Sequence, residues 1–273
     1  MRPRRNLNPT LVAGIAILGL VIVAALLAGV ISPYAPNTPD PTQILQSPSW
    51  RHLAGTDELG RDLLSRILYG ARPSLLVAVS IVLIGATGGV LIGCASGLVG
   101  GLIDTGVMRL LEVVMALPGL VIALALTAAL GPSLFNLALA LGVLGMPFYA
   151  RVARAQTLTL RERAFVRAAR AMGASRWFIL HRHIVPNLLP TIVVFMSLGL
   201  SAALLGASAL SFIGLGAQPP MAEWGALVNA SRTYMLDDWW YTVFPGAAVA
   251  LTSFGFTLLG DGLRDALDPK LRP

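Results

Sequence analysis

Composition, apolar runs and the distribution of charge make this sequence an all-α, polytopic membrane protein with six transmembrane helices. Of its 273 residues, 56% are hydrophobic and only 12% are charged, a balance that soluble domains do not show. Mean hydropathy is positive. The apolar residues gather into runs near the roughly 20 residues that cross a hydrocarbon core. Between two of these runs lies a polar helical insert holding eight arginines (Arg151, Arg154, Arg161, Arg163, Arg167, Arg170, Arg176 and Arg182) against one acid, Glu162.

The first span is an uninterrupted apolar run at residues 11–31, preceded by Arg2, Arg4 and Arg5. A cleaved leader would carry an apolar region of only ~7–15 residues, so a retained span is expected. After it, Thr56 is placed to cap a helix whose first turn holds Asp57 and Glu58. Leu59, Leu63, Leu64, Ile67 and Leu68 give that helix an apolar stripe, which is expected to lie flat at the outer membrane face. Residues 1–72 are thus read as a tail, a first helix and an outer amphipathic segment. Residues 73–273 are read as a five-helix core.

Within that core the spans fall at about 74–98, 107–130, 134–149, 188–215 and 241–259. The second carries Gly85, Gly89, Gly93, Gly97 and Gly101, each four residues from the next. This spacing puts a groove on one face and lets another helix approach closely. Gly199, Ala203, Ala207 and Ser211 repeat the pattern more weakly in the fifth span. Pro118-Gly119, Gly145 with Pro147, and Pro245-Gly246 are expected to interrupt the third, fourth and sixth spans. Pro118, Pro147 and Pro245 are therefore candidates for shaping a translocation path. Asp104, Arg109 and Glu112 cluster near one end of the third span, with Arg109 and Glu112 spaced to pair at i, i+3. The outer loop, 217–240, holds Trp224, Tyr234, Trp239 and Trp240, read as anchors at headgroup depth.

Residues 151–187 form the arginine-rich loop, which the positive-inside rule assigns to the cytoplasm. Six crossings then put both termini on that side. Thr159 and Glu162 fit a capping box, a short helix follows, and Gly173 suits its C-terminal turn. Ser175 can cap a second helix running to Pro186. The net charge of +7 is accounted for by this topology and by anionic lipid, with no nucleic acid required.

Several chemistries find no residues here. Lys270 is the only lysine, so a phosphate-binding G-x-x-x-x-G-K-[ST] loop cannot form. His181 and His183 point to different sides of a helix with no acid or cysteine to complete a metal site, and Cys94 is expected to serve packing. No G-x-S-x-G or H-E-x-x-H set occurs, so no catalytic residue is assigned. A self-contained secondary transporter would carry coupling acids near mid-membrane, and none is apparent.

Arg167-Ala168-Ala169, then Gly173, then Val185-Pro186 resembles the EAA motif of permease subunits in bacterial ATP-binding-cassette importers. Arg167 stands where that motif usually has glutamate, so any partner surface opposite it is expected to be acidic. The segment from Gly55 to Asp62 with Leu63-Leu64-Ser65-Arg66, and the run from Leu259 to Pro269, are similar to the second permease component of the dipeptide, oligopeptide and nickel permease family. The resemblance implies a type I importer transmembrane domain in the bacterial inner membrane. It also implies a homologous sister permease, two cytoplasmic ATPase subunits that hold ATP and Mg, and an extracytoplasmic solute-binding protein that docks on the outer loops. No cofactor is expected on this chain. Its implied cargo is a di- or oligopeptide, with nickel or another small solute as the alternative.

Overall fold

In the computed structural model, residues 8–267 are described, and they are almost entirely helical. Arg2, Arg4, Arg5, Lys270 and Arg272 lie outside the described residues. The helices are α1 (Pro9–Ile31), α2 (Leu63–Val99), α3 (Gly101–Ala116), α4 (Gly119–Leu130), α5 (Leu134–Arg161), α6 (Ala164–Ala171), α7 (Arg176–Ile179), α8 (Val185–Phe212), α9 (Trp224–Ala230) and α10 (Trp239–Leu267). Helix α7 continues into α8 through a π turn, Leu180–Ile184. Five of these rods are long and apolar enough to cross a membrane, and α3 with α4, bent by 89°, is long and apolar enough only as a pair. The bend has a local cause: Leu117, ahead of Pro118, is forced into extended backbone, and Pro118 then opens α4.

Two expected breaks are absent. Pro147 lies inside α5 and Pro245 inside α10, and both helices carry on through them. Each proline forfeits one backbone bond and its ring is buried, and the neighbouring turns hold the rod together. Helix α5 also outruns its predicted end, so Arg151 to Arg161 belong to it. Thr159 caps nothing; its hydroxyl donates back to the Ala155 carbonyl.

The glycine ladder of α2 receives α5. A Cβ on Gly89 would stand 2.5 Å from the Met146 carbonyl oxygen, one on Gly97 would stand 3.1 Å from Thr157, and one on Gly93 would overlap the Ala150 carbonyl. Gly85 faces Gly142 in the same seam. Gly101 does not belong to the ladder: it sits past the end of α2 at φ +62°, with open space around it, and serves the turn into α3. Helices α1 and α10 pair on one flank, where Leu259 backbone closes on Gly14, and α8 fills the space between α10 and α2.

The outer amphipathic helix is not formed. Helix α2 runs unbroken across residues 72 and 73, roughly 55 Å in all, beyond the ~30 Å hydrocarbon core. Its true N-cap is Asp62, whose carboxylate accepts the Ser65 N–H at 2.8 Å. Residues 55–62 instead fold into a polar clasp around Asp57, which is fully buried. Asp57 Oδ1 accepts the N–H groups of Leu59 and Arg61 at 2.9 Å, and Oδ2 pairs with Arg61 Nε at 2.7 Å and Arg66 Nε at 3.3 Å. Glu58 joins Arg61 at 3.1 Å and accepts the Tyr241 hydroxyl of α10. His52 Nδ1 meets Asp62 Oδ1 at 2.9 Å. Thr56 is buried and donates to the Gln43 carbonyl. Acids that the sequence assigned to a helix's first turn are consumed by two inward arginines. At the clasp's exposed edge, the side-chain hydroxyl and then the backbone N–H of Thr42 hold Asp40 below the usual carboxylate range.

Trp224 is not an interfacial anchor. It is 2% exposed, and its indole N–H donates to the Ile67 carbonyl at 2.9 Å. Glu223 caps α9 through the N–H groups of Gly225 and Ala226, both at 2.9 Å.

Two outcomes are expected from this packing. Gly93→Leu should lower stability by about 1–3 kcal/mol or more through overpacking, whereas Gly106→Ala, which meets nothing within 4 Å, should gain up to about 1 kcal/mol. Thermal unfolding in detergent separates them. Asp57→Asn leaves two buried guanidinium groups short of a carboxylate and should cost about 3–5 kcal/mol, read as faster proteolysis of residues 32–62.

Candidate functional site

Helices α6 and α7 form a two-helix knuckle at one end of the bundle. Helix α6 begins after Arg163, where the chain leaves α5, and its apolar residues recur so that Val166 and Ala169 face inward. It ends in paired turn bonds, Ala174 N–H to Ala169 carbonyl and Gly173 N–H to Arg170 carbonyl, both at 3.0 Å. This closure needs the left-handed backbone of Gly173, φ +85°. Ser175 then caps α7 by accepting the Phe178 N–H at 3.2 Å. The expected helix, glycine turn and helix are all present. Pro186 does not end the second helix, because the π turn before it widens the backbone where the proline ring would otherwise strike a carbonyl.

The knuckle has two unlike faces. Inward, Val166, Ile179 and Ile184 are buried with Cys94 of α2, Ala153 of α5 and Leu188 of α8, and Ala169 of α6 is buried as well. Thr157 donates to Cys94 Sγ at 3.5 Å, so the lone thiol is a packing element. Outward stand Arg167, Ala168, Arg170, Met172, Arg176, Trp177, Phe178 and Arg182. Met172 is 82% exposed and Trp177 67%. The Trp177 and His181 rings meet tilted at 4.1 Å, and His183 sits between Phe165 and Phe178 at 5.8 and 5.7 Å. Ala168 and Ala169 therefore divide: Ala168 lies on the outward face, while Ala169 seats α6 on its own bundle. Val185 is half-buried, and Pro186 is exposed at the start of α8.

The arginines divide as well. Arg154 leaves the loop's charge patch to make a two-pronged pair with Asp104, both contacts 2.6 Å, and Ser96 donates to the same carboxylate. Arg161 donates to the Gly97 carbonyl at 3.0 Å. Arg109 and Glu112 do pair, at 3.2 Å, on the exposed side of α3. The expected grouping of Asp104 with Arg109 is thus replaced by a clamp across α2, α3 and α5. Between residues 163 and 187 the sequence holds no acid, so Arg163, Arg167, Arg170, Arg176 and Arg182 give the outward face an uncompensated positive charge.

A cavity of about 570 Å³ lies among α2, α4, α5 and α8. The sequence reading did not place it. Phe148 and Phe195 meet edge to face at 5.5 Å on its wall. Tyr149 turns its hydroxyl toward the Phe195 carbonyl, 3.5 Å away. A second cavity of about 320 Å³ shares Phe195 and Leu198 with the first and reaches Arg264 of α10. Of the three candidate path prolines, Pro118 precedes the lining residue Gly119, and Pro147 is buried in α5 between lining residues Gly145 and Phe148. Pro245 is not part of the lining.

Helices of this length and hydropathy, with a cavity among four of them, define an integral membrane protein. The chain belongs to the family described as binding-protein-dependent transport system inner membrane component, whose model matches residues 89–273. Residues 7–48 match the N-terminal TM domain of oligopeptide transport permease C. It is similar to the probable D,D-dipeptide transport system permease protein of Escherichia coli (strain K12), with 49% identity over 255 residues covering 92% of this chain and 86% of that protein. The glutathione transport system permease protein of Pectobacterium atrosepticum is 43% identical over 261 residues, 95% of this chain and 86% of that one. The di/tripeptide transport system permease protein of Pseudomonas aeruginosa is 40% identical over 271 residues, 97% and 89% of the two chains. The chain is a multi-pass inner-membrane permease component of an ATP-binding-cassette transport system, a class that works with ATPase and binding-protein partners.

Gly173→Ala tests the knuckle's geometry. Nothing lies within 4 Å of the added methyl, so the expected loss of about 1–3 kcal/mol comes from the backbone alone. Amide exchange should quicken across residues 164–184 and stay unchanged in α2.

Proposed function

We propose that this chain is the membrane-spanning half of an ATP-driven importer of di- or oligopeptides. It works beside a homologous sister permease, two ATPase subunits that hold ATP and Mg, and a binding protein that delivers solute from outside. The chain itself catalyses nothing, and both termini face the cytoplasm with the knuckle. The observation that carries the reading is the knuckle's outward face, where an exposed methionine and two exposed aromatic rings stand among arginines that no nearby acid neutralises. Such a surface fits a groove that is apolar at its floor and acidic at its rim.

The names of the relatives support the peptide cargo. An ion-coupled mechanism is disfavoured, because the buried carboxylates among the described residues, Asp57, Asp62, Asp104 and Glu223, are each committed to local donors. In the proposed cycle, closure of the ATPase dimer moves the knuckle, and nucleotide favours one of two orientations of the spans.

Co-purification tests the docking. The tagged chain, co-expressed with its sister permease and ATPases, should retain the ATPases. Arg167→Glu and Met172→Asp touch no buried partner and should each reduce that retention at least about tenfold, with the sister permease still bound. Full retention by both variants would remove the knuckle from the ATPase interface.

A further inference from the structure

Four glycines line the larger cavity: Gly199 is required by the Tyr149 hydroxyl, which its Cβ would overlap, and the other three are unexplained by packing. Glycine inside a helix costs about 1 kcal/mol relative to alanine, and in the α2–α5 seam close backbone approach justifies that cost. At Gly206 an added Cβ would meet nothing nearer than Leu141 Cδ1 at 3.7 Å, and at Gly145 nothing nearer than Gly85 Cα at 3.9 Å. At Gly119 nothing lies within 4 Å. None of the three has the positive φ that would demand glycine. What they share is the cavity wall.

We propose that this chamber is a size filter for solute in transit, with its width set by the missing side chains of Gly119, Gly145 and Gly206 and with no selection for charge. The proposal rests on the peptide-importer reading. Three features favour passage over docking of a further helix. Helix-contact glycines line up at i, i+4 on one rod, whereas these come from α4, α5 and α8 and face a concave space that is open on one side. The two cavities together follow α8 from Gly206 to Pro190, roughly 24 Å at helical rise and most of a hydrocarbon core of ~30 Å. The chamber's lining holds no charged side chain, and the Tyr149 hydroxyl is its one polar side-chain group. The ammonium and carboxylate of a peptide find no counter-charge there, so the solute is not retained and can leave. A volume of about 570 Å³ lies within the usual range for sites that enclose small molecules, about 300–1,000 Å³.

The test uses the complete complex in proteoliposomes, with the binding protein outside and di-, tri- and tetra-alanine as probes. Uptake by each variant is divided by wild-type uptake of the same peptide, so the binding protein's own preference cancels. Gly206→Leu and Gly145→Leu should depress tetra-alanine uptake about tenfold more than dialanine uptake. Gly206→Ala, which fits without collision, should show the same ordering at smaller amplitude. Gly19→Leu is the control, since Gly19 of α1 also has nothing within 4 Å but lies off the chamber, and it should leave every ratio unchanged. Equal loss at all lengths in Gly206→Ala, or loss of the sister permease from that complex, overturns the filter alone. A wild-type complex that imports none of the three peptides overturns the peptide reading and the filter with it.

Discussion

The close approach of α2 to α5 is the constraint on which the rest of this structure depends. Inside a bilayer the hydrophobic effect gives two helices no reason to touch, because lipid tails are as apolar as leucine. Association must come from dispersion contacts and from polar groups that find partners, and both require backbones within reach. Gly85, Gly89 and Gly93 allow that reach by leaving room for Gly142, Met146 and Ala150. With the gap closed, Arg154 of α5 can grip Asp104 while Ser96 of α2 donates to the same carboxylate. Arg161 can also reach the Gly97 carbonyl. The ion clamp thus follows from the seam, since neither arginine would arrive if a side chain held the helices apart.

The outer end is fixed by different physics. Burying charge is expensive, and a lone guanidinium beside a membrane would cost several kcal/mol. In the clasp, Asp57 sits against both Arg61 and Arg66, Glu58 takes a further contact from Arg61 and the Tyr241 hydroxyl, and Arg66 also donates to the Pro36 carbonyl and Asn37. Its ionic members lie within ten residues of chain, so the clasp can form locally before α10 arrives to supply Tyr241. It then ties the segment after α1 to α2 and α10 at once.

Much of this was legible in the sequence, and what was missed has identifiable reasons. The spans were visible because hydrocarbon demands long apolar runs. Gly173 and Ser175 were visible because left-handed turns and N-caps select few residue types. The glycine ladder announced a close partner for α2 but could not name α5, because a groove does not specify what fills it. Arg154 was misassigned for the same reason: its distance from Asp104 along the chain is 50 residues, and only the seam brings them together. Thr56, Asp57 and Glu58 satisfied the rules for a helix start, yet Asp62 satisfied them better, directly before the unbroken run from Leu63. The inward pull of two arginines decided between them. Pro147 and Pro245 show the limit of reading breaks from proline alone, since a rod supported on several sides survives the loss of one bond. At Pro118 the helix turns by 89°, and there the preceding leucine adopts extended backbone.

The chamber and the knuckle are connected through the same seam. The inward residues of the knuckle bury themselves against Cys94 of α2 and Ala153 of α5, while its far end passes through the π turn into α8. Two bodies therefore meet at the knuckle: the α2–α5 unit, locked by its glycines and by the Asp104 clamp, and α8. These bodies also form opposing walls of the chamber, with Ile81, Gly145 and Phe148 on one side and Phe195, Gly199 and Gly206 on the other. Packed interiors shift as units rather than deform. Any displacement that moves α8 against the α2–α5 unit must then appear as a change in chamber width.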